Sequence, residues 1–234
     1  MSFQKALEAL EATTVPRNYT RKNVKGKDGS SIGMCLGLSM ILGTPDVAVN
    51  KKTARHAPLA RVLTALARRH APDFRFTSIQ VNKNNQTPLH VDRNNLGESA
   101  IVGLGDYRGG EVWVAGDGIH DCRNRFCFFD GNEAHGTMPF EGTRYTIVYF
   151  TQSSFQKASR ASLASLRRLG FSLPPTGLRA PRRKRYRLSS VRLDAARADF
   201  ERAVRAHRAK LKRRAPRKKR AAQQNGTRKV KQAR

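Results

Sequence analysis

Between Phe74 and Thr151 the chain breaks into short runs of strand character, and no segment of helical period separates them. Phe74, Phe76, Ile79 and Val81 alternate loosely with polar residues. Further runs follow at Leu89–Asp92, Ser99–Leu104, Glu111–Ala115, Arg125–Phe129 and Tyr145–Thr151. Gly109–Gly110 and Asp130–Gly131–Asn132 punctuate them as turns. Parallel strands need long crossovers, usually helical, and none is available here. The spacing therefore predicts an antiparallel sandwich or barrel and rules against a parallel α/β sheet.

Helical patterns flank this β region, so the expected class is mainly β with flanking helices (α+β). Residues 3–12 place Phe3, Ala6, Leu7 and Leu10 on one face. A second helix starts between Thr53, a candidate cap, and Pro58, suited to a first turn, and ends near Ala71–Pro72. Its apolar face is Leu59, Val62, Leu63, Leu66 and Ala67. After the strands, Ser154–Leu169 carries Phe155, Ala158, Leu166 and Leu169 on one face, which Ser162 interrupts. The loop pattern of 15–31 is polar and rich in Gly and Lys, and Ile32–Gly43 reads as a buried element. That run is too short for a membrane span, and too Gly-rich and too far along the chain for a signal peptide.

Charge divides the chain. Of 234 residues, 46 are Lys or Arg and 17 are Asp or Glu, and residues 179–234 hold 23 of the basic ones but 3 of the acidic ones. That segment alone carries +20 of the formal +29. It opens with RRKRYR (182–187) and contains RRAPRKKR (213–220). Between them Ser189–Arg214 has a weak helical pattern on Val191, Ala195, Phe200, Val204 and Leu211. Leu173–Gly177 marks the linker before it. The overall apolar share of 38% is below the roughly 45–50% of globular chains. The expected organisation is helices and a loop packing on the core (1–73), a β core with its following helix (74–172), and a basic, partly helical or disordered tail (173–234). Such a tail neutralises phosphates and is expected to bind nucleic acid with strong salt dependence. Its sparse aromatics leave little for base stacking. The basic runs also have the composition of a nuclear localisation signal. Three cysteines (Cys35, Cys122, Cys127), odd in number and without CxxC pairing, argue for a reducing compartment and against a cysteine zinc site.

Within the β region, His90 and Asp92 are separated by one residue. In an extended chain both point to one face and can reach one metal ion. His135, in the strand–turn string FFDGNEAHG, is a third donor. Two imidazoles and one carboxylate, with coordination positions left open, form the facial set of non-haem Fe(II) oxygenases. Arg144 opens the next strand, where a guanidinium can grip a dicarboxylate bidentately. The same residues also suit a zinc site or the polar rim of a cupin-like domain.

Four strings carry a family resemblance: HVDRNN (90–95), LGDYRGGEVWV (104–114), FDGNEAHG (129–136) and PFEGTRYTIVYFT (139–151). Over about 74–151 the chain resembles the Fe(II)/2-oxoglutarate-dependent dioxygenases. Within them it looks most like small protist and algal oxygenases of the TET and J-binding-protein group. Ile79 and Val81 depart from the asparagine–tyrosine pattern of the AlkB-type demethylases. The resemblance implies a double-stranded β-helix (jelly-roll or cupin-like) core, with His90, Asp92 and His135 as iron ligands and Arg144 as the 2-oxoglutarate anchor. It implies Fe(II), 2-oxoglutarate and O2, with ascorbate as an auxiliary reductant, and conversion of an aliphatic C–H to an alcohol with release of succinate and CO2.

Other residues are weaker candidates. Asn82 and Asn84 can direct amides to the cosubstrate or act as turn formers. Arg93, Asn94 and Asn95 can line the substrate entrance or a solvated loop. Tyr107, in GLGDYRGG, is either a substrate-stacking ring on a lid or part of a plain hairpin. Trp113 reads as sheet core, while His120, Cys122 and Cys127 read as packing or surface residues. The expected substrate is a nucleic-acid base of the 5-methylpyrimidine type. The alternatives are a prolyl or lysyl hydroxylase of a histone or ribosomal protein, and an inactive nucleic-acid binder. A nuclear or other intracellular location with nucleic acid, and no membrane, is expected.

Overall fold

The computed structural model describes residues 1–18, 31–44, 46–175 and 190–214. The RRKRYR run, most of the RRAPRKKR run and most of the 15–31 loop lie outside the described residues. The chain begins with α1 (Phe3–Glu11), β1 (Arg17–Asn18), β2 (Ser31–Met40), β3 (Val47–Val49), α2 (Lys51–Arg55) and α3 (Ala57–His70). Then come β4 (Ser78–Lys83), β5 (Ser99–Leu104), β6 (Tyr107–Gly109), β7 (Val112–Val114), β8 (Gly118–His120) and β9 (Cys127–Phe129). The last elements are β10 (His135–Thr137), β11 (Phe140–Gly142), β12 (Tyr145–Phe150), α4 (Arg160–Arg168) and α5 (Ser190–Arg214).

All paired strands are antiparallel. The large sheet runs β1-β2-β4-β12-β5-β9, with β3 also on β2, and a small sheet runs β10-β7-β8. The last strand, β12, thus inserts between β4 and β5. It shows why period two matters: Tyr145, Ile147 and Tyr149 enter the main buried cluster, while Arg144, Thr146, Val148, Phe150 and Gln152 face a cavity. Residues of the small sheet (Val112, His135, Thr137) line that same cavity from the other side.

Helices α1 and α3 cover the far face of the large sheet. Ser2 caps α1 by accepting a hydrogen bond from Lys5 N at 3.2 Å. Pro58 sits in the first turn of α3, where its missing N–H costs nothing, and Arg68, Arg69 and His70 oppose the dipole in the last. Ala6 and Leu10 of α1 and Leu59, Leu63 and Leu66 of α3 join the core beneath β2, β4 and β12. No described helix is long and apolar enough to cross a membrane.

Three expectations change. Residues 1–73 are more than helices and a loop, because the Gly-rich run becomes β2, a ten-residue strand of the large sheet. At Gly37, with φ +91°, a Cβ would lie 2.2 Å from Thr77 O, so glycine lets β2 approach β4. Leu89–Asp92 is not a strand: one isolated bridge joins His90 to His135. The Ser154–Leu169 pattern splits into a 3-10 turn at Phe155–Lys157 and α4, which buries Leu163 and Leu166.

The tail helix α5 is no solvated arm. Leu193, Ala196, Phe200, Ala203 and Val204 pack with Trp113, Ala134 and Met138. The Phe200 and Trp113 rings lie 5.4 Å apart. Ala195 falls on the exposed side, so the docked stripe is rotated from the one the sequence pattern indicated. Gly136 makes this possible, since a Cβ there would be 2.7 Å from Phe200 Cζ. Further along, His207 Nε2 lies 3.3 Å from Glu111 Oε2.

Candidate metal centre

The bridge between His90 and His135 brings the two imidazoles together. Each residue's N–H donates to the other's carbonyl at 2.9 Å, and the ring centroids are 4.2 Å apart. Asp92 N donates to Gly131 O at 2.8 Å, which ties the third residue to the turn before His135. The donor atoms of His90, Asp92 and His135 all lie within 4.8 Å of one another. His90 Nε2 is 3.7 Å from Asp92 Oδ1, and His135 Nε2 is 3.9 Å from Asp92 Oδ2.

The tautomers follow from the hydrogen bonds. His90 Nδ1 is 2.9 Å from Pro88 O and His135 Nδ1 is 2.9 Å from Glu133 O. A carbonyl can only accept, so each Nδ1 carries a proton and each ring turns its Nε2 to the centre. Backbone carbonyls that orient ligand imidazoles in this way are a recurring support of metal sites. Phe129 meets the His135 ring edge-on at 5.0 Å. Asn95 Nδ2 donates to Asp92 Oδ2 at 3.2 Å and to Ser99 Oγ at 3.0 Å, and so holds the carboxylate in place. Two imidazoles and one carboxylate fit a divalent metal with positions left for other ligands.

The three donors share a cavity of about 400 Å³ with Arg144, a volume within the range of small-molecule sites. Arg144 is 2% exposed. Its Nη2 donates to Gly110 O, and its guanidinium lies 5.5 Å from the Tyr107 ring and 5.4 Å from the Phe140 ring. Its Nε has no hydrogen-bond partner. Among the described residues no carboxylate comes within 4 Å of it. Its titratable neighbours do not supply a charge either. Burial pushes the Cys122 thiol up, and burial likewise drives the Tyr107 hydroxyl up, so both stay neutral. A buried cation with no anion is costly. The cavity therefore offers one strong subsite for a carboxylate, apart from the metal donors.

The other candidates divide. Asn82 lines the cavity, and its Nδ2 donates to Thr146 Oγ1 at 3.3 Å. Arg93, Asn94 and Asn95 line it too. Asn84 does not: it sits at φ +53°, its Oδ1 accepts from Arg144 N at 2.8 Å, and its N donates to Arg144 O at 2.7 Å. It is a turn residue that pins the Arg144 backbone. Tyr107 is 3% exposed and sits behind Arg144, so it is no lid. Cys122 and Cys127 are buried packing residues, and His120 pairs with Asp117 at 3.0 Å. Sequence reasoning passed over Phe150 and Gln152 of the cavity wall, although the period-two series from Arg144 would have reached them.

No family model matches the chain, and no curated protein does. Solved structures do. A 2OG-Fe(II) oxygenase family oxidoreductase from Burkholderia pseudomallei is 16% identical, with 63% of this chain and 76% of that one covered at a TM-score of 0.44. A Trichoplax adhaerens prolyl hydroxylase, in complex with a hypoxia inducible factor peptide fragment, is 11% identical over 63% and 74%, at 0.35. YcfD, a ribosomal oxygenase from Escherichia coli in complex with cobalt and succinic acid, is 14% identical over 84% and 57%, at 0.33.

Proposed function

We propose that the chain is an Fe(II)- and 2-oxoglutarate-dependent dioxygenase on a double-stranded β-helix, and that it hydroxylates an aliphatic C–H of a nucleic-acid base. The observation that carries this reading is the pairing, in one cavity, of a His₂-carboxylate donor set with a buried guanidinium that lacks an anion among the described residues. The insertion of β12 between β4 and β5, opposite the small sheet, is the strand arrangement such a β-helix requires.

His90, Asp92 and His135 would hold the iron, and Arg144 the distal carboxylate of 2-oxoglutarate. Bound together, iron and 2-oxoglutarate supply O2 activation: one oxygen atom goes to the substrate as a hydroxyl and the other to succinate, with loss of CO2. The chain's own residues do the rest. Pro88 O and Glu133 O hold the imidazole protons away from the centre, Asn95 orients the carboxylate, and Tyr107 and Phe140 keep water from the Arg144 guanidinium.

The substrate reading rests on charge. From Arg202 onward the exposed side of α5 carries Arg202, Arg205, Arg208, Lys210, Lys212 and Arg213, with no acid. The helix docks beside Gly136, in the strand of His135, by its opposite, Phe200 side, which leaves the basic side exposed. It suits a phosphodiester backbone, and a base would reach the iron by flipping out of the stack. A 5-methylpyrimidine, as in the TET and J-binding-protein group, and a nuclear location belong to this proposal. The test is succinate formation from 2-oxoglutarate with Fe(II) and ascorbate, alone and with methylated DNA, RNA or histone and ribosomal peptides, with His135→Ala as blank. Stimulation by nucleic acid is expected. Stimulation by peptides alone would give the protein-hydroxylase reading, and no turnover with intact salt-sensitive DNA binding would give the inactive binder.

A further inference from the structure

The helix α5 touches both halves of the site from outside the cavity. In β7, Val112 lines the cavity while Trp113 packs with α5, so the helix covers the outer face of the small sheet. Its Leu193, Ala196 and Phe200 share a cluster with Leu89 and Val91, which flank His90, and with Ala134, which precedes His135. The Phe200 ring fills the gap over Gly136, the residue after His135. Further along, a Cβ on Gly109 would be 2.9 Å from His207 Nε2 and 3.4 Å from Leu211 Cδ1, and His207 Nε2 lies 3.3 Å from Glu111 Oε2. Gly110, between these two contact points, is the residue whose carbonyl holds the Arg144 guanidinium. One helix therefore backs both imidazoles and the turn that holds the arginine.

The segments it backs are short. Leu89–Asp92 forms no strand, and His90 joins His135 through one isolated bridge. The strands β7 and β10 have three residues each. Segments with so few ladder bonds open locally at low cost, so packing on a neighbour decides how well they are ordered.

Away from the docked stripe, Arg205, Arg208 and Lys212 are exposed and stand three and four residues apart, which places them side by side on the helix. Like charges at that spacing repel and weaken a helix. Phosphates laid along them relieve the repulsion in the formed helix, whereas a frayed chain loses the spacing that a phosphate row can match. A ligand shifts an equilibrium only through such a difference in affinity between its two states.

We propose that α5 couples nucleic acid to the metal centre: a phosphodiester backbone on the basic side holds the helix down on Leu89, Val91 and Gly136, which orders His90, His135 and Arg144 for metal and 2-oxoglutarate. Coupling of this kind is reciprocal, so a filled centre also tightens the docking of α5. The inference rests on the nucleic-acid reading above and states how contact outside the cavity prepares the cavity.

The test is hydrogen exchange of the full chain, followed by mass spectrometry in three conditions: with a DNA duplex, with long-chain inorganic polyphosphate, and with Mn(II) and 2-oxoglutarate without O2. Duplex and polyphosphate, the second having no base to enter the cavity, should each slow exchange in α5 and also in 88–92 and 133–137, by about fivefold or more. Mn(II) with 2-oxoglutarate should slow exchange in α5. Phe200→Ser removes the ring from the Gly136 gap and should abolish the slowing at 88–92 and 133–137 while salt-sensitive duplex binding persists. The triple change Arg205→Gln, Arg208→Gln and Lys212→Gln leaves the docked side untouched, and should lose the polyanion effect but keep the effect of Mn(II) and 2-oxoglutarate on α5. Duplex binding with unchanged exchange at 88–92 and 133–137, or equal slowing there in Phe200→Ser, would overturn the coupling and leave the nucleic-acid reading intact. No binding of either polyanion would overturn that reading and the coupling with it. The full exchange pattern without succinate formation under any condition would remove the oxygenase reading alone.

Discussion

Arg144 is the residue whose replacement tests the cavity's chemistry most directly. Its charge is buried at 2% exposure with a carbonyl, two rings and an unpartnered Nε around it. Burial of an ion costs several kcal/mol. A charged hydrogen bond returns about 1.5–3 kcal/mol, and each desolvated ring contact up to about 2 kcal/mol. These nearly cancel, so Arg144→Met, which keeps the volume, should leave the ligand-free protein within a few degrees of wild type in melting temperature. The difference appears when a diacid is added. At a concentration 100 times its Kd, 2-oxoglutarate stabilises the protein that binds it by about 2.7 kcal/mol. For a domain of this size that is a rise of about 5–11 °C. Thermal melts under argon, with Fe(II) and with or without 2-oxoglutarate, should show this rise in wild type and none in Arg144→Met. An equal rise in both proteins would refute the assignment of Arg144 as the carboxylate subsite, whatever turnover is measured.

Other perturbations have equally definite outcomes. Asn95→Leu frees the Asp92 carboxylate from its 3.2 Å hydrogen bond, and titration with Fe(II) or Mn(II) should show affinity lower by about 10–100-fold. Gly136→Ala forces a methyl to 2.7 Å from Phe200 and should cost about 1–3 kcal/mol in denaturant unfolding, with Phe200→Leu restoring part of it. Arg205, Arg208 and Lys212 together changed to Ala should lower the slope of log affinity for duplex DNA against log salt by about 2.7, at about 0.9 per contact. Cys122 and Tyr107 keep their protons in the folded state, whereas unfolded they ionise from ordinary values of 9.0 and 10.0. The folded state then binds more protons, so stability is unaffected below about pH 8 and falls as pH rises through 9 and 10. Urea unfolding across that range should show the fall, reduced in Cys122→Ala.

The sequence carried the metal donors and the guanidinium because their chemistry is local: His90 and Asp92 share a face wherever the backbone is extended, and Arg144 stands at the head of an apolar run. Ser99–Leu104 and Tyr145–Phe150 were readable for the same reason, since central strands between two layers have dense apolar runs. The Gly-rich run that became β2 was not readable, because its glycines answer to a neighbouring strand and not to any local pattern. Asn84 and Tyr107 each carried two readings for a related reason. A turn former and a ligand-binding amide look alike in sequence, and only the 2.8 Å bond to Arg144 N separates them. The tail's helix was legible in its periodicity, yet its docking on Trp113 depends on a gap at Gly136 in a strand far away in the chain. What the residues fix alone is which atoms can bind a metal, a carboxylate or a phosphate. Which of them share one cavity, and which stay without a partner inside it, is decided by pairings between strands distant in sequence, because burial and unmet hydrogen bonds exist only once those strands have closed.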